Sequence, residues 1–133
     1  MDQKKYKNLS PRIKVIQKLY NLLMNPNTEI DYPKSQYKKF IKDVVTGTLE
    51  RSELIEEKVN LHLSDDINLN KTDKLLKIIL FAAIFELMFK LNTPKKVVIN
   101  EYLSASEHFL EKIQIGYLNA ILDKISKELR QDE

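Results

Sequence analysis

Cysteine is absent from this 133-residue chain. That excludes a disulfide scaffold, thiolate zinc sites and a cysteine nucleophile, and it suits a reducing cytoplasm, the expected location. Glycine and proline are scarce, two and four residues, standing apart at Gly47, Gly116, Pro11, Pro26, Pro33 and Pro94. A β-protein of this length needs turn residues far more often, so the punctuation implies an all-α fold of long helices and short loops. Two isolated glycines also leave no phosphate-cradling loop. The two histidines, His62 and His108, lack metal-ligand spacing, because Ala105 stands where a Glu-x-x-His pair needs its carboxylate, so neither metal nor cofactor is expected. The most apolar run, Ile78 to Phe89, holds Glu86 and is bounded by Lys77 and Lys90. It is well short of the ~20 residues that cross a bilayer and reads as a buried core helix. The N-terminus is basic without the apolar centre of a signal peptide.

The net charge of +3 is unevenly placed. The first 20 residues carry six basic groups (Lys4, Lys5, Lys7, Arg12, Lys14, Lys18) and one acidic group, a net of +5, while the rest of the chain nets −2. A concentrated positive field at one end is the footprint of an arm that meets phosphate. A solubilising tail carries the same charge pattern, so the phosphate reading needs a second signal.

Local signals divide the chain into helices. Ser10-Pro11 reads as an N-cap followed by proline at the first helical position, opening a helix to about Met24 that buries Ile13, Ile16, Tyr20 and Leu23. Tyr37, Phe40, Ile41, Val44 and Val45 recur at helical spacing in a second helix, with Lys38, Lys39 and Lys42 on its polar side and Gly47 weakening its end. Ser52 is placed to cap a third, which carries Leu54, Ile55, Val59 and Leu63. A fourth is expected after Thr72, with Asp73 favourable to its dipole, ending at Thr93-Pro94. Apolar on most sides from Ile78 to Phe85, it reads as the hub of the bundle. A fifth buries Ile99, Tyr102, Leu103, Ser106 and Phe109, and a last one from about Ile115 to Leu129 buries Leu118, Ile121, Leu122, Ile125 and Leu129. The chain is expected to be one domain, residues 1–133, with helical subdomains of about 1–68 and 69–133 sharing a core.

No catalytic constellation emerges. Ser104 and Ser106 fall on a helix without the strand-turn-helix setting of a nucleophile elbow. Glu86 inside an apolar run needs a partner, because an unpaired buried charge is costly. A neighbouring helix or an interface explains it better than acid-base work. No enzyme is expected.

The second signal lies in the C-terminal half. Ala83-Ile84-Phe85-Glu86-Leu87, then Pro94-Lys95-Lys96-Val97-Val98-Ile99-Asn100-Glu101, then Leu118-Asn119-Ala120-Ile121-Leu122-Asp123-Lys124 resemble, in order and near spacing, the NusB family pattern A-x-Y-E-L, P-x-x-V-A-I-N-E and F-V-N-G-V-L-D-K. Gln17 and Leu19-Tyr20 match the family's Q-x-L-Y segment. The resemblance covers about residues 10 to 130 and implies a bundle of about six or seven helices in two packed subdomains. It also implies a transcription antitermination factor that, with the ribosomal protein NusE, binds boxA-like RNA in nascent ribosomal transcripts and supports the RNA polymerase elongation complex.

The resemblance implies RNA contacts from the start of the first helix and from the segment around Tyr117. Expected phosphate contacts are Lys4, Lys5, Lys7, Arg12, Lys14 and Lys18. Tyr117 is either a platform for an unpaired base or an aromatic packed between helices. Tyr20 and Lys77 fall on the implied NusE surface. The family's arginine run is replaced here by Asn8-Leu9-Ser10-Pro11, and the acidic residue before Lys77 is replaced by Leu76. Lysine keeps the attraction to phosphate but lacks the planar guanidinium fork. The competing reading is a helical protein-interaction adaptor that has lost specific RNA recognition.

Overall fold

The computed structural model describes residues 10–62 and 73–133. Those residues form six α-helices and no strand: α1 Pro11–Met24, α2 Lys38–Glu50, α3 Ser52–His62, α4 Lys74–Phe89, α5 Lys95–Ser106 and α6 Lys112–Leu129. The expected all-α architecture is present. Leu63, Thr72 and the segment expected to divide the subdomains lie outside the described residues.

The chain enters α1 as its first residues dictate. The Ser10 hydroxyl accepts the Arg12 N–H at 3.2 Å, and Pro11 occupies the first turn, where its missing donor costs nothing. The buried face is Arg12, Ile13, Val15, Ile16 and Leu19. Tyr20 and Leu23, expected inside, are 37% and 45% exposed. The covered stripe stops one turn earlier than the apolar periodicity does, leaving apolar side chains at the surface.

Helix α4 is the hub. It packs against each of the other five helices, and every residue from Ile79 to Leu87 is buried. Asp73 is its N-cap: one carboxylate oxygen accepts the N–H groups of Leu75 at 2.9 Å and Leu76 at 3.1 Å. A carboxylate serves there as both acceptor and favourable charge for the helix dipole.

Gly47 lies near the end of α2, which continues to Glu50. Its role is close approach. A Cβ built on Gly47 would overlap the Phe85 ring, so the missing side chain is the notch through which α4 seats on α2.

Helix α4 ends at Phe89, four residues before Thr93, and Pro94 instead opens α5. The carbonyls left free at this end find a partner from the far end of the chain. Buried Arg130, just past α6, donates from Nε to the Leu87 carbonyl at 2.7 Å, and from Nη1 and Nη2 to those of Thr93 at 3.0 Å and Lys90 at 3.2 Å. It also pairs with Glu133. The last carbonyls of a helix have no partner within it, and here a distant guanidinium supplies one. Helix α6 begins at Lys112, three residues before the expected start, because Glu111 and Gln114 form a reciprocal capping box.

Candidate nucleic-acid and partner interfaces

The first helix carries two kinds of cation, separated by burial. Arg12 projects inward and is 9% exposed. Its Nε and Nη2 meet the two oxygens of Glu86 at 3.0 and 2.7 Å, a bidentate pair linking α1 to the hub. The guanidinium carbon lies 4.9 Å from the Phe40 ring centroid and 5.7 Å from that of Tyr102. Burial acts to lower the Arg12 pKa, but hydrogen bonding and attraction from Glu86 outweigh it and the net shift is upward. The carboxylate that needed a partner has one. The arginine expected to contact phosphate is buried and paired with Glu86 in the core.

Tyr102 completes this buried cluster. It is fully buried and its hydroxyl has no hydrogen-bond partner at normal geometry. Burial, reinforced by the charge of Glu86, pushes its phenol well above the usual value.

Lys14 and Lys18 point the other way and are half-buried. The Lys18 ammonium donates to the Asp31 carbonyl and lies 5.3 Å from the centroid of the Tyr32 ring. Burial lowers its pKa; neighbouring Lys14 adds to that and Asp31 opposes it. Packing of α1 on α2 brings Lys38 to the same place, and Lys14, Lys18, Tyr32, Ser35 and Lys38 line one small depression. Sequence reasoning missed Tyr32 and Lys38 as partners of Lys14 and Lys18. The available signal was the i, i+4 lysine pair on α1 facing a lysine-rich start to α2. Lys4, Lys5 and Lys7 lie outside the described residues.

Tyr117 stands on α6, half-buried against the core edge, and is not among the residues of that depression. Burial raises its phenol pKa. Lys77 lines a larger feature, and Tyr20 is not among its lining residues. A groove of about 580 Å³ runs between α1, the α2–α3 junction and the start of α4, with Leu22, Leu23, Leu49, Lys74, Lys77 and Phe81 among its lining residues. The Lys77 ammonium lies 5.5 Å from the Phe81 ring centroid. Tyr20 is exposed on α1 next to Leu19, which also lines the groove. Among the described residues no group of three or more metal-ligating side chains occurs, and no helix is long and apolar enough to cross a membrane.

A model of the NusB family matches residues 5–127. The chain belongs to the NusB family. Among its relatives, the transcription antitermination protein NusB of Rickettsia massiliae is 33% identical over 122 residues, covering 86% of this chain and 76% of that protein. The NusB of Rhodopseudomonas palustris (strain HaA2) is 31% identical over 94 residues, 71% of this chain and 56% of that protein, so the match spans little more than half of that relative. The solved structure of T. maritima NusB superposes with a TM-score of 0.77 at 21% identity, covering 90% of this chain and 93% of that one. That agreement shows a shared NusB fold.

Proposed function

We propose that this NusB family member is an RNA-binding transcription antitermination factor of the cytoplasm. With NusE it holds a boxA-like element of nascent ribosomal transcripts and supports processivity of the RNA polymerase elongation complex. The observation that carries the RNA half of this reading is the cationic outer face of α1. Lys14 and Lys18 project away from the core there, joined by Lys38, and they continue the charge of Lys4, Lys5 and Lys7 upstream. Phosphate contacts of this kind position the nucleic acid, while sequence is read by contacts to bases. Tyr117 is the proposed stacking residue. Arg12 serves by holding α1 against α4, so that the lysine face is presented on a rigid helix.

The groove beside Tyr20 and Lys77 supports the protein half. Its apolar floor and lysine rim suit an apolar segment with acidic flanks, and this is the proposed NusE surface. Gel-shift titration of boxA-like and scrambled RNA, with and without NusE, tests the whole. Preferential binding of the boxA-like RNA that tightens with NusE is expected, and equal, weak binding of both RNAs overturns it.

The burial of Arg12 favours one second reading. The guanidinium fork best suited to specific phosphate geometry faces inward, which suits an adaptor that binds protein through the groove without specific RNA recognition. NusE binding that persists while RNA discrimination is absent would identify it.

A further inference from the structure

The depression between α1 and the start of α2 has a composition that the core does not require. Its lining is Lys14, Lys18, Tyr32, Pro33, Ser35, Lys38 and Ile41, with three lysines and no acidic residue. Among the described residues none of these lysines forms an ion pair, although Asp31 lies close enough to act on the charge of Lys18. Like charges brought together in this way repel one another unless an anion joins them.

Lys18 is held in place. Its ammonium donates to the Asp31 carbonyl and sits over the Tyr32 ring. An ammonium has three protons to donate, so that bond leaves others for a ligand. No side chain caps the first turn of α2, at which Lys38 stands, and the positive end of that helix dipole adds to the same field.

The size of the depression decides what fits. Its space of about 10 Å³ is close to that of one water-sized sphere. A single phosphate oxygen fits; a base or a sugar ring does not. We infer that Lys14, Lys18, Lys38 and the Ser35 hydroxyl form a subsite for one backbone phosphate of single-stranded RNA, with Tyr32 as the positioning residue for Lys18. The subsite rests on the RNA-binding reading and extends it from the N-terminal lysines to the α1–α2 corner, beyond the segments that family resemblance implies.

The test uses the full chain and a labelled single-stranded boxA-like RNA, titrated over a series of salt concentrations. The variants are Lys38→Gln, Tyr32→Leu, Tyr32→Phe and, as a reference, Lys4→Gln/Lys5→Gln/Lys7→Gln. Lys38 is exposed at a helix end, so K38Q is expected to melt with the unaltered chain. It should lower affinity and reduce the slope of log affinity against log salt by about 0.7, the share of one neutralised phosphate. Tyr32→Leu keeps every lysine yet should weaken binding in the same direction, while Tyr32→Phe, which keeps the ring, should bind as the unaltered chain does. If K38Q binds with unchanged affinity and slope while the N-terminal triple variant is reduced in both, the subsite is overturned and the RNA-binding reading stands. If the unaltered chain binds no RNA, both fall. If K38Q weakens NusE binding in the absence of RNA and leaves RNA binding alone, the depression belongs to a protein contact and the phosphate assignment is overturned.

Discussion

Arg12 and Glu86, 74 positions apart, meet through two charge-assisted hydrogen bonds of 3.0 and 2.7 Å inside the helical core. Such a pair stabilises a fold less than its geometry suggests, because both ions lose their hydration, but removing one member leaves the other charge stranded. Arg12→Ala and Glu86→Ala should therefore each destabilise the protein by about 3 to 5 kcal/mol, and Arg12→Met/Glu86→Leu should cost less than either. Chemical denaturation measures all three. The double variant should also bind RNA like the unaltered chain. A loss of RNA affinity in that folded variant would return Arg12 to the RNA surface.

Tyr102 offers a test of the same cluster by pH. Its phenol titrates well above the usual value in the folded protein, so the folded state keeps a proton that the unfolded chain releases above about pH 10. Stability from this group is complete below that pH and is lost as pH rises toward the folded pKa, with a slope of up to about 1.4 kcal/mol per pH unit. Tyr102→Phe should flatten that alkaline decline. Because the hydroxyl has no hydrogen-bond partner at normal geometry and only a weaker interaction with Glu86, the same change should leave stability at neutral pH nearly unaltered. Denaturation at pH 7 and above pH 10 separates the two effects.

The close approach of Gly47 and Phe85 sets opposing effects against each other. Alanine is the better helix former by about 1 kcal/mol, but its Cβ would overlap a ring packed in the core. Gly47→Ala should therefore destabilise by about 1 to 3 kcal/mol net, and Phe85→Leu in the same chain should recover part of the loss. Phe85→Ala alone should cost about 3 to 5 kcal/mol. Thermal melts of these variants should remain single transitions, since α4 packs against every other described helix.

At the groove, Tyr20→Ala/Lys77→Ala should weaken association with NusE while leaving the melting curve nearly unchanged. Tyr20 is 37% exposed and the Lys77 ammonium rests on the edge of the groove rather than in an internal ion pair. Calorimetric titration with NusE checks this. Unchanged binding would place the partner surface elsewhere.

For RNA, Lys4→Gln/Lys5→Gln/Lys7→Gln should lower affinity similarly for boxA-like and scrambled sequences and reduce the salt slope by about 2, near 0.7 for each phosphate no longer neutralised. Tyr117→Ala should weaken binding by about 1 to 3 kcal/mol with little change in slope, because stacking releases no counterions. A triple variant that binds as tightly, with the same salt dependence, would leave the arm as a solubilising tail.

Whatever is local in this protein is written directly in its chain. Helical spacing and Ser10-Pro11 mark α1 from end to end, scarcity of glycine and proline excludes a β fold, and the unbroken apolar run around Ala82 identifies the hub helix. These features follow from the helical repeat and from hydrogen bonds between residues a few positions apart. Which cation faces which way is a matter of packing alone. Arg12 and Lys14 are two residues apart in the same basic cluster, yet one meets Glu86 and the other meets solvent beside Lys38. The satisfaction of the last carbonyls of α4 likewise depends on Arg130, and the need for glycine at position 47 depends on Phe85. Each of these pairings joins residues tens of positions apart, and periodicity carries no information about which distant helix will cover a given face. Packing of the helices supplies the partner, and with it the role of the side chain.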